Sequence, residues 1–115
     1  MSPSRLCQVL LNVLVNAARD GEAAQVHVSA RTLGDRVAIE VEDDGVGMSA
    51  DVLERAFDPF FTTNRDRGGT GMGLSVCKSL VEDAQGIITL ESTPGRGTRV
   101  TIWLQAHSHE QRATA

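Results

Sequence analysis

Leu6, Val9, Leu10, Val13 and Ala17 recur at the spacing of one helical face, which predicts a helix over "SPSRLCQVLLNVLVNAARD". Ser2 or Ser4 can cap it, and Pro3 suits the first helical position, where its missing N–H is not needed. Gln8, Asn12 and Asn16 stack on another face of this helix, which is otherwise apolar from Leu6 to Ala18. A row of amides in that setting needs polar partners. The period then changes to two: Val26, Val28 and Ala30, followed by Val37, Ile39 and Val41, alternate with more polar neighbours in "QVHVSART" and "RVAIEVED". Joined through "LGD", these segments read as a hairpin with one face on a core.

Ser49 can cap a short helix, "ADVLERAF", with Asp51 and Glu54 near its positive end. The stretch "DPFFTTNRDRGGTG" breaks the pattern and reads as a mobile loop, after which "MGLSVCKSLVEDA" returns to helical spacing through Leu74, Val76, Leu80 and Val81. Two more alternating strands, "GIITLES" and "TRVTIWL", flank the turn "TPGRG", and the tail from Gln105 reads as frayed. This order predicts an α+β fold: a two-layer sandwich, its sheet antiparallel or mixed, with the helices on one face.

A chain of 115 residues fits one domain with a real core. With 11 basic against 15 acidic residues and no long basic run, neither nucleic acid nor an anionic membrane is the expected partner, so an anionic ligand needs a local site. Cys7 and Cys77 lie in helical segments without metal-ligand spacing, which points to a reducing cytoplasm. No apolar run reaches the roughly 18 residues of a membrane span, and "MSPSRLCQ" lacks a signal-peptide core.

Three segments carry candidate chemistry. "GGTGMGLS" crowds four glycines ahead of a helix, where free backbone N–H groups and the helix dipole can receive phosphate oxygens without a lysine; a plain connector is the alternative. The P-loop pattern is absent, and the glycine register breaks the dinucleotide fingerprint. "DDGVGM" holds a carboxylate at a strand end beside Gly45 and Gly47, able to receive an exocyclic amine, although Asp-Gly also signals a hairpin turn. Asn12 and Asn16 are either satisfied core amides or, for one of them, an oxygen ligand to magnesium.

Taken in order, these segments resemble the boxes of sensor histidine kinase catalytic domains. "QVLLNVLVNAARD" resembles the asparagine box, "DDGVGM" the DxGxG box, "FDPFFTT" the phenylalanine box and "GGTGMGLS" the second glycine box, with "TPGRGT" similar to the final GxGT turn. The likeness covers about residues 4–104, leaving 105–115 as a tail, so the expected domain is 1–104. It implies the Bergerat-type sandwich shared with gyrase, a heat-shock chaperone and mismatch-repair ATPases: a mixed, mostly antiparallel sheet, three helices on one face and a mobile ATP lid. By resemblance Asn16 holds Mg2+, Asn12 lies near the phosphates or metal, and Asp44 reads the adenine amino group. Gly45 and Gly47 shape the base pocket, Gly69, Thr70, Gly71, Gly73 and Leu74 receive the nucleotide, and Thr98 stands near the adenine. Phe57, Phe60 and Phe61 anchor the lid.

The hydrolysing members of the superfamily, and its anti-sigma serine kinases, carry a glutamate one turn before the metal asparagine as general base. Here that position is Asn12, and an amide cannot take the proton of an attacking water. The resemblance therefore implies transfer of the ATP γ-phosphoryl group, not rapid hydrolysis; a hydrolysing clamp and a degenerate binding module are the alternatives. The lysine that often follows the phenylalanine box is Asn64, for which Arg65 or Arg67 can substitute. His27, His107 and His109 lie outside the family's acceptor context. The implied partners are thus ATP or ADP, a histidine-bearing dimerisation helical domain, and a response regulator downstream.

Overall fold

Ser2 opens the first helix: its Oγ accepts the Arg5 N–H at 3.2 Å, and Pro3 is the first residue of α1 (Pro3–Arg19). The computed structural model describes residues 1–19, 22–58 and 73–105. After α1 follow β1 (Val26–Leu33), β2 (Arg36–Asp43), α2 (Ala50–Arg55), α3 (Gly73–Asp83), β3 (Ile87–Thr93) and β4 (Gly97–Gln105), the order the periodicity predicts. Ser49 caps α2 as expected, its side chain accepting the Val52 N–H at 3.3 Å.

The strands form one sheet in the order β1-β2-β4-β3, and each neighbouring pair is antiparallel. Among the described residues the sheet is therefore wholly antiparallel, not mixed. Ile39 and Ile88 both register with Ile102, and Val41 with Val100, so these side chains share one face. Val9 and Val13 of α1 and Leu74, Cys77 and Val81 of α3 close over that face as a single buried cluster. The other face is more polar and partly solvated, with only the side chains of Ala38 and Thr101 buried on it among the described residues. Arg99 pairs there with Glu42 at 3.4 Å and Glu91 at 3.5 Å, and such exposed ion pairs add little stability.

β1 departs from expectation. Val26, Val28 and Ala30 were expected to face a core, yet every residue of β1 is exposed. The reason is coverage: α1 packs over β2 and beside α3, while β1 packs chiefly against its neighbour β2. Alternation fixes which side chains share a face, but a neighbour must still arrive to bury them.

Helix direction positions the site. α3 ends where Gln85 takes a left-handed conformation (φ 62) and the Gly86 N–H reaches the Val81 carbonyl at 2.8 Å. A Cβ on Gly86 would stand 2.5 Å from the Trp103 carbonyl, so this end of α3 sits at the far end of β4. The 11 residues of α3 rise about 16 Å, close to the roughly 17 Å from Trp103 back to Thr98, so the start of α3 reaches toward Thr98.

Candidate functional site

Two turns far apart in sequence dock at that end of the sheet. Gly47 (φ 72) and Gly97 (φ 102) both hold positive φ, and a Cβ on either would strike backbone: Gly47 at 2.1 Å from the Thr93 carbonyl oxygen, Gly97 at 1.9 Å from that of Asp43. Only glycine permits this approach. The contact is then tied by hydrogen bonds. The Gly95 N–H donates to the Val46 carbonyl at 2.7 Å, and the Met48 N–H donates to Ser92 Oγ at 2.7 Å. Ser92 Oγ also lies 2.8 Å from Thr98 Oγ1 and 3.0 Å from the Gly97 carbonyl.

The two aspartates of "DDGVGM" part company. Asp43 is half-buried at the end of β2 on the helix-covered face, following Ile39 and Val41 at period two. Its Oδ1 accepts the Gly45 N–H at 2.9 Å and the Thr98 N–H at 3.2 Å. Its Oδ2 has no hydrogen-bond partner among the described residues. Asp44, expected to face the adenine amine, is exposed, and its Oδ1 accepts the Ala24 and Gln25 N–H groups, each at 2.9 Å. That carboxylate clamps the start of β1. The signal for Asp43 was in the sequence twice, in the D-x-G-x-G spacing counted back from Gly45 and Gly47 and in the period-two face of β2.

α1 delivers its amides to the same end. The Ala23 N–H bonds the Ala17 carbonyl at 3.0 Å and the Asp44 N–H bonds the Gln25 carbonyl at 3.2 Å, so the last turn of α1, carrying Asn16, lies beside the end of β2. Asn16 is half-buried, with no hydrogen-bond partner among the described residues. Asn12, also half-buried, hydrogen-bonds the Cys77 thiol of α3, and Cys77 Sγ lies 3.5 Å from the Val9 carbonyl. Burial pushes that thiol up to about 11, outweighing the hydrogen bonds that favour its charged form. Asn12 is thus in part a satisfied interhelical amide.

Gly45 is buried, Thr98, Gly73 and Gly47 are half-buried, and Leu74 is part of the core. Phe57 packs against the core with Lys78 Nζ 5.3 Å above its ring centroid, fastening the end of α2 to α3. Gly69, Thr70, Gly71, Phe60, Phe61, Asn64, Arg65, Arg67, His107 and His109 lie outside the described residues. A depression of about 210 Å³ also opens at this end, but it is shared with Glu42, Glu91 and Arg99 of the more polar face, so it marks the outer rim of the corner. Ser92 was missed as a site residue; its place after Ile88 and Leu90 on the inward period of β3 is the signal that finds it.

The family described as histidine kinase-, DNA gyrase B- and HSP90-like ATPases matches residues 1–108, and the chain belongs to it. Sensor histidine kinase ZraS of Salmonella typhimurium is 43% identical over 111 residues, which cover 95% of this chain and 23% of that protein. Alginate biosynthesis sensor protein KinB of Pseudomonas aeruginosa is 43% identical over 98 residues, covering 84% of this chain and 16% of that protein. The chain therefore spans a quarter or less of the length of these relatives. Full-length ShkA, solved in complex with AMPPNP, superposes with a TM-score of 0.76 at 31% identity, over 87% of this chain and 21% of that one. The mycobacterial sensor histidine kinase MprB gives 0.77 at 25% identity, over 91% and 72%. No helix among the described residues is long and apolar enough to cross a membrane.

Proposed function

We propose that this chain is the ATP-binding catalytic domain of a sensor histidine kinase, passing the γ-phosphoryl group of ATP to a histidine on a separate dimerising helical domain. The observation that carries this reading is Asp43. Its carboxylate is anchored through Oδ1, has no partner at Oδ2 among the described residues, and stands at the end of the sheet toward which α3 starts and where Asn16 lies. An anchored, half-buried acceptor suits an exocyclic amine, and a helix start preceded by glycines suits phosphate. Asp43, not Asp44, then reads the adenine, with Gly45, Gly47 and Thr98 around the base.

Asn16 offers one amide oxygen of the hard kind magnesium prefers, and the described residues contain no carboxylate cluster, which fits an ion held mainly by phosphates and water. When bound, magnesium neutralises charge on the phosphates. The chain's own part is positioning: Asp43 fixes the base, the start of α3 at Gly73 receives the phosphates, and Asn12 supplies no base for a water. The acceptor histidine, a response regulator receiving the phosphoryl group and a cytoplasmic location belong to this same proposal.

Titration of the chain with ADP tests it. Asp43→Asn is expected to weaken binding about thirtyfold, the scale of a hydrogen bond to a charged group. Asp44→Asn should bind nearly as wild type, because an amide oxygen still accepts from Ala24 and Gln25. The reverse ranking would return the base to Asp44, and a wild type blind to ADP would end the reading.

A further inference from the structure

Ser92 lies in none of the boxes, yet its hydroxyl is the meeting point of both turns. A serine hydroxyl has one proton and two lone pairs. The Met48 N–H, at 2.7 Å, takes one lone pair. The Gly97 carbonyl, at 3.0 Å, is an acceptor only, so it takes the single proton. The third contact, 2.8 Å to Thr98 Oγ1, is then satisfied only if Thr98 donates. Hydrogen-bond counting thus fixes the polarity of a neighbouring hydroxyl: Thr98 Oγ1 presents lone pairs, and no proton, to whatever enters the corner. Asp43 has the same character, because its Oδ1 is committed to the Gly45 and Thr98 N–H groups and Oδ2 remains.

We infer that Ser92 sets the nucleobase preference of the site: by consuming the Thr98 hydroxyl proton it leaves two acceptors, Thr98 Oγ1 and Asp43 Oδ2, which favour a purine bearing an amino group at C6 over one bearing a carbonyl oxygen there. This rests on the nucleotide reading above. A carbonyl oxygen set against two acceptors is left desolvated and unpaired, which disfavours that base more than a missing contact does. Ser92 touches no ligand in this scheme; it acts through Thr98 as a positioning residue.

The experiment measures ADP and IDP affinities of the full chain: the two bases differ at C6 in this sense, and at N1, which carries a proton only in IDP, so each variant's ratio is read against that of wild type. Wild type should prefer ADP. In Ser92→Ala the freed Thr98 proton can meet the carbonyl of IDP, so the ADP-to-IDP affinity ratio should fall about tenfold. Ser92→Thr, which keeps the hydroxyl, should hold the wild-type ratio. Taking the ratio within each variant cancels any general loosening of the corner. Should Ser92→Ala not fold, Thr98→Val carries the test: it leaves Ser92 bonded to Met48 and Gly97, removes one acceptor, and should lower the ratio likewise. Losses of equal size for both nucleotides in Ser92→Ala would overturn the inference and leave Ser92 a brace, as would an unchanged ratio in Thr98→Val. Equal affinity of wild type for ADP and IDP would overturn it too, with the nucleotide site intact. Failure of wild type to bind either removes the nucleotide reading itself and this inference with it.

Discussion

The corner where the β2 end meets the β3–β4 turn and the edge formed by β1 are built from similar parts, alternating valines and tight glycine turns, yet one is closed and the other open. At the corner, backbone touches backbone: Gly97 lies against Asp43 and Gly47 against Thr93. At the edge, Gly34 also has positive φ (64), but a Cβ there would meet nothing within 4 Å. Positive φ is therefore common to both, and of these two regions it is the corner that requires close approach. Gly97→Ala should destabilise the protein by about 3 kcal/mol, from an alanine forced into left-handed space against the Asp43 carbonyl, and should abolish nucleotide binding. Gly34→Ala has only the conformational penalty, about 1 kcal/mol. Urea midpoints of the two variants measure the gap, and equal losses would mean that the corner can relax.

A directly opposed pair sharpens the contrast. Val28 and Val41 face each other across β1 and β2, but Val41 is 1% exposed and Val28 is 48% exposed. Val41→Ala should lose about 2 kcal/mol by leaving a cavity under α1 and α3. Val28→Ala should change stability by less than about 0.5 kcal/mol. A comparable loss at Val28 would show that something covers the edge in solution.

The sequence carried the elements well because each has a local cause: Ser2 and Ser49 cap, the period changes from 3.6 to two, and glycines mark the turns. It could not show that α1 would lie over β2 and leave β1 bare, because a period names a face and not its cover. The site divided along the same line. The segments that form it were legible as boxes, and Gly47 and Gly97 as residues permitting close approach. Under the proposed reading, chemistry alone does not choose between Asp43 and Asp44, since both are carboxylates just ahead of Gly45. The choice follows from which of them continues the inward face of β2, as Asp43 does after Val41. Ser92 escaped because its inward place in β3 shows which face it shares but not its use, which appears only when its three partners arrive.

The smallest effect contrasts the two cysteines on the same terms. Cys7 lies on the open side of α1 and is exposed, whereas Cys77 is fully buried beneath that helix, its thiol held up to about 11 by loss of solvent. The thiolate is the reactive form, so a maleimide at pH 8 should label Cys7 promptly and Cys77 only on opening. The same burial ties stability to pH with a definite sign. A thiol that ionises near 9 when unfolded and near 11 when folded holds its proton more tightly in the native state, so stability is unaffected below 9 and falls as pH rises between those values. At pH 10 the decline should reach about 1 kcal/mol, and Cys77→Ala, whatever its cavity does to stability at neutral pH, should lack this decline. Urea midpoints of both proteins at pH 8 and pH 10 decide it. An equal fall in the two would place the pH dependence elsewhere and show that α1 does not seal α3 from water as the closed side of the comparison requires.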